Sequence, residues 1–170
     1  MNPILAVFMI IVLILCILIM VKKRSDSEGF DERQLLLRGN AYKYAFFSLI
    51  LFEAFYAVAL LLIGHPLMAD GVSALLGVFL SITVFAVYCI NNDAFKSNRP
   101  SFNLKTYSIL LAAVTLINGW NGIQSLRSGE MIQNGLLQLS VSALACAVCF
   151  LIILIVLLRK AVLDKKEEEA

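Results

Sequence analysis

The chain has 170 residues, 61% of them hydrophobic, with a mean hydropathy of +0.88. That is too apolar for a soluble domain of this size. The 14 Lys and Arg nearly balance the 12 Asp and Glu, leaving a net charge of +2, and no direct nucleic-acid partner is expected.

A bilayer core about 30 Å thick needs roughly 20 apolar residues per crossing helix. Five stretches approach that length: 4–21, 44–63, 72–90, 106–123 and 136–158. Their apolar runs are continuous rather than alternating, which points to helices and away from a barrel. The expected fold is therefore all-α, an integral membrane bundle of five transmembrane helices forming a single membrane domain, with the lipid bilayer as its first partner.

The first stretch lacks a basic leader and a small-residue cleavage site, and it ends in Lys22-Lys23-Arg24. It reads as a stop-transfer anchor rather than a cleaved signal. The basic residues then alternate with the spans. Six fall in the segment 22–43, three in the third loop and four in the tail 159–170, against Arg127 alone on the other side. Positive loops stay in the cytoplasm. The expected orientation places the N-terminus outside and the C-terminus inside a plasma membrane, with 22–43 and 159–170 cytoplasmic.

The segment before the second span carries the most distinctive local pattern. Asp31 precedes a helix start, and Gln34 follows three residues later, as in a capping box. Phe30 and Leu35 occupy the positions of a hydrophobic staple. A short interfacial helix is expected over 31–38, with Leu35–Leu37 toward lipid and Gly39-Asn40 breaking it before the second span. Asp31, Glu32, Arg33, Gln34 and Arg38 are candidates for a cytoplasmic docking surface. An ordinary connector helix is the plainer alternative.

Glu53 lies about ten residues into the second span, where charge is costly and ionisable groups tend to be functional. Tyr56 is one turn away. Thr115, Asn118 and Asn121 in the fourth span are its candidate partners, with Gln124 at the outer end and Trp120 near the interface. Two readings stay open. Glu53 is either a hydrogen-bonded glue between helices or a proton- or cation-coupled site at the floor of a cavity open to the outside. Ser73, Gly77 and Ser81, with small residues in the fourth and fifth spans, favour close helix approach.

The third loop, Asn91 to Pro100, reads as a polar, turn-rich link. Cys146-x-x-Cys149 has the spacing of a redox pair, but its apolar flanks at membrane depth leave thiols inert. His65 stands alone in a turn, without the companions that a metal needs. The charge run at the end of the tail suggests no function. No phosphate loop, nucleophile elbow or zinc motif occurs. No enzyme, cofactor or metal is expected. A parallel duplication of the two hairpins, 44–90 and 106–158, is conceivable but brings few identities into register.

At Asp31-Glu32-Arg33-Gln34 followed by Arg38-Gly39-Asn40-Ala41-Tyr42-Lys43-Tyr44, the chain resembles a group of small, uncharacterised multi-pass bacterial membrane proteins. These carry a similar "DERQ…RG.AYKY" stretch after the first span. Asn92-Asp93-Ala94 is also similar to that group. The resemblance implies a membrane sensing or regulatory partner role. The candidate partners are a cytoplasmic or membrane protein and, as a homo-oligomer, a second copy of the chain. It implies no reaction. The runner-up expectation is a small transporter using Glu53.

Overall fold

The computed structural model describes residues 30–95 and 104–168. The expected first span, 4–21, lies outside them. Among the described residues four helices form: α1 (Glu32–Ile63), α2 (Val72–Asn91), α3 (Leu104–Arg127) and α4 (Val141–Glu168). All four contain stretches long and apolar enough to cross a membrane. Their outward faces are lined by large apolar side chains such as Phe47, Phe55, Leu61, Ile109, Leu116 and Ile155. A multi-pass membrane protein is the reading compatible with this surface, because water would not tolerate so continuous an apolar belt.

The helices pack in the order α1, α2, α4, α3, each on its neighbour in that row. The packed interior is thin. One cluster joins Ala86 and Ile90 of α2 to Ile153 and Leu157 of α4. A second joins Ala41 of α1 to Cys89 and Ala94, with Leu37, Phe85 and Tyr88 around it. Two glycines set the closest approaches. A Cβ on Gly77 would sit 2.7 Å from Leu49 Cδ1 and 3.1 Å from Glu53 Oε1. A Cβ on Gly122 would sit 2.9 Å from the Cα of Leu144, so there α3 and α4 meet backbone to backbone. Small residues at crossings are how membrane helices gain packing without a hydrophobic drive.

The short helix expected over 31–38 is not a separate element. The helix starting at Glu32 runs unbroken to Ile63, through Gly39 and Asn40. A helical Gly costs about 1 kcal/mol relative to Ala. Here the neighbouring turns outweigh it, since Leu37 and fully buried Ala41 anchor both sides of Gly39 onto α2. Of the three leucines expected to face lipid, Leu35 and Leu36 are exposed while Leu37 packs inward. At roughly 1.5 Å per residue the helix is about 48 Å long, well beyond an apolar core of about 30 Å. Its first turns must therefore project past the hydrocarbon. The helix stops at Gly64, whose N–H still donates to Leu60 O at 2.9 Å while its left-handed φ of 77° turns the following chain away.

The fifth expected span also needs correction. Residues 136–140 are not helical, and α4 begins at Val141. Leu136–Leu137 forms β2 of a tiny hairpin with β1 (Ile132–Gln133). Asn134 (φ 52°) and Gly135 (φ 76°) are both left-handed, as the tight hairpin turn requires. Leu137 also bridges to Met68, with Leu137 N to Leu67 O at 2.9 Å and Ala69 N to Leu137 O at 2.8 Å. The two loops at this end are thus stitched together. The fourth span is longer than expected, reaching Arg127.

Candidate functional site

The end bearing residues 31–43, 92–95 and 159–166 is called the basic end below. Its geometry begins with the cap. Asp31 Oδ1 accepts from Gln34 N at 2.6 Å, and Gln34 Oε1 accepts from Asp31 N at 3.3 Å. The capping box read from the sequence is present. Where α2 ends, Asp93 takes a left-handed φ of 57°. Ala94 N then donates to Cys89 O at 2.8 Å and Asp93 N to Ile90 O at 3.4 Å. These are the two bonds of a Schellman cap, with Asp93 where Gly is usual.

That cap turns two carbonyls toward α1. Gln34 Nε2 donates to Asp93 O at 3.0 Å, and Arg38 Nη1 donates to Ala94 O at 3.3 Å. The Arg38 guanidinium also lies 4.3 Å from the centre of the Phe30 ring and 5.7 Å from that of Phe85. From α4, Lys160 Nζ reaches Asp93 Oδ1 at 3.1 Å and Asp164 Oδ1 at 3.3 Å. Asp93 is therefore the hub of a clasp on which α1, α2 and α4 converge. Tyr42 stacks on Phe85 and Tyr44 on Tyr88, with ring centres 4.6 and 5.1 Å apart. The stretch 31–44 and the stretch 92–94 are thus contacting halves of one structure.

The five residues marked for docking divide accordingly. Asp31 caps, and Gln34 and Arg38 are engaged in the clasp. Glu32 and Arg33 are exposed, as is Leu36 one turn on at 72%.

The expected intramembrane constellation does not assemble. Glu53 and Tyr56 are on α1, and Thr115, Asn118 and Asn121 are on α3, at opposite ends of the helix row. Thr115 Oγ1 donates to Leu111 O at 2.7 Å and Asn118 Nδ2 to Val114 O at 2.9 Å. Each satisfies itself on its own helix, as short polar side chains do. Glu53 turns Oε1 into the α1–α2 seam beside Gly77. That oxygen is buried and has no hydrogen-bond partner among the described residues. A buried acceptor without a donor is costly.

Asn121 belongs elsewhere. It lines a polar basin of about 470 Å³ at the far end of α3, with Gln124, Ser125, Ser128 and Glu130. Glu53 does not line this basin. On α2 a second concavity of about 400 Å³ has mainly apolar walls, with Val84, Val87, Tyr44 and Tyr88 below Asn91 and Asn92.

Cys89 and Cys146 are buried free thiols, and Cys149 is half-buried and free. Among the described residues no group of three or more His, Cys, Asp or Glu could hold a metal. No protein-family model, curated protein or solved structure matches the chain.

Proposed function

We propose that this chain is a non-enzymatic regulatory or interaction protein of a bacterial plasma membrane, oriented with its C-terminus in the cytoplasm. The observation that carries this reading is the clasp. It fixes the projecting turns of α1 on α2 and α4 and leaves Glu32, Arg33 and Leu36 exposed on them. A rigid helical stalk with an apolar residue between charges suits docking, because little order has to be gained on binding. The charge asymmetry between the loops supports the orientation. The resemblance at residues 31–44 supports a sensing or regulatory partner.

A photocrosslinking residue in place of Arg33 tests this in intact cells. The expected result is one discrete protein adduct that disappears when Glu32 and Leu36 are also changed to Ala. The same probe at lipid-facing Phe47 is expected to capture lipid. Lipid capture alone at position 33 would remove the docking role.

The unpartnered Oε1 of Glu53 favours one second reading, a proton- or cation-coupled carrier. Glu53→Gln keeps the shape and removes the titration. In proteoliposomes with an internal pH dye, a carrier predicts proton entry that this variant abolishes. Equal dye response from both proteins would eliminate coupling at Glu53.

A further inference from the structure

The basin at the end of α3 is unlike the rest of the surface. All five lining residues, Asn121, Gln124, Ser125, Ser128 and Glu130, are polar in a chain that is 61% hydrophobic. Asn121, Gln124 and Ser125 lie on α3 at spacings of three and four, which puts them on one flank, and Ser128 follows in the turn just past Arg127. At about 470 Å³ the basin falls in the size range of small-molecule sites, roughly 300–1,000 Å³.

Its one charged lining residue is held in place by its backbone. Glu130 N donates to Ser125 O at 3.1 Å, and Glu130 O accepts from Ser140 Oγ at 2.8 Å. The carboxylate itself is exposed. No lining residue is cationic, and the Glu130 carboxylate disfavours an anion. The carboxamides and hydroxyls can each accept or donate, while the carboxylate only accepts. A primary ammonium, with three N–H donors and one positive charge, satisfies such a set. A quaternary ammonium donates nothing and would want an aromatic cage instead. Trp120, the only tryptophan of the chain, is exposed one turn before Gln124 on the same flank, where an indole face adds attraction for a cation.

We infer that this basin binds a primary ammonium group, presented by an aminoalcohol lipid headgroup or by a free small amine. The inference does not depend on the docking role at the basic end.

The single tryptophan gives the readout. The full chain is placed in nanodiscs of phosphatidylglycerol alone and titrated with ethanolamine. In a second arm the discs contain increasing phosphatidylethanolamine and no free amine. A saturable change in Trp120 emission is expected in at least one arm, and the responding arm identifies the source. Glu130→Gln should weaken the midpoint by about tenfold or more, as loss of a charged hydrogen-bond partner does. Asn121→Asp adds a second negative group and should tighten it. The Glu130 side chain is exposed and its backbone makes the fixing bonds, so Glu130→Gln leaves the fold in place. Absence of saturation in both arms, an equal response to sodium acetate, or midpoints unmoved by both substitutions would overturn the inference.

Discussion

Gly122→Leu is expected to separate α3 from α4 and lower stability by about 3 kcal/mol, at the upper end of what overpacking costs. The reason is what the new atoms would meet. Leu144 N, Cα and Cβ all lie within 3.0 Å of a Cβ placed at Gly122. Two of those atoms are helix backbone and the third is the Cβ fixed to it, so none can rotate aside. Gly119 and Ala147 lie alongside, with a Cβ on Gly119 falling 3.8 Å from the Ala147 Cβ. Any separation at Gly122 therefore also loosens that ordinary contact. Gly77→Ala provides the comparison. Its nearest obstacles are Leu49 Cδ1, Glu53 Oε1 and Phe52 Cδ1, all side-chain atoms that can give way. Gly77→Ala is expected to cost about 1 kcal/mol, like other small core insertions. Unfolding of purified protein by increasing SDS in mixed micelles measures both. A Gly122→Leu midpoint no lower than that of Gly77→Ala would refute the backbone contact.

Arg38→Ala carries the second large effect. Arg38 donates a partly buried, charge-assisted bond to Ala94 O and lies over two aromatic rings. Hydrogen bonds to charged groups contribute about 1.5–3 kcal/mol, and the side-chain stem adds packing. A local loss of about 2 kcal/mol follows, concentrated at the clasp. Cys89 reports it directly. It is fully buried in the cluster with Ala41 and Ala94. With Cys16, Cys146 and Cys149 replaced by Ala, the maleimide labelling rate of Cys89 should rise roughly thirty-fold, since 1.4 kcal/mol is a factor of ten. Arg38→Lys keeps the charge but loses the flat stacking surface, and its rate should fall between the two. If labelling stays at the original rate in Arg38→Ala, the clasp does not hold this end closed.

What could be read from residue order alone divides along physical lines. The capping box at Asp31 and Gln34 was legible because both partners lie within one turn. Four of the five expected spans coincide with helices because hydropathy is a local sum. The meeting of Gln34 and Arg38 with Asp93 and Ala94 was not legible, since it needs α1 and α2 already packed. The end of α2 fell within one residue of the expected position 90, but the cap beyond it was not legible, because a non-Gly residue, Asp93, stands at the left-handed position. Gly39-Asn40 misled for the opposite reason. A local breaking signal there is outweighed by burial of Leu37 and Ala41. Asn134-Gly135 was a usable hairpin signal, masked by the apolar Leu136-Leu137 that extended the neighbouring hydropathy run. Thr115 and Asn118 looked like partners for Glu53 because membrane depth can be counted along a chain, whereas which helix lies beside which cannot. The polar basin escaped notice because Asn121 was grouped with Glu53 and Glu130 was not singled out. Their nearness depends on how the chain turns after Arg127.

The row order α1, α2, α4, α3 has a geometric consequence for traffic across the bilayer. Among the described helices, α1 and α3 stand at the two ends of the row and share no extensive seam. Glu53, at the α1–α2 seam, and the polar basin, at the tip of α3, therefore belong to separate flanks of the molecule. A solute-handling role at one would have to operate without the side chains of the other.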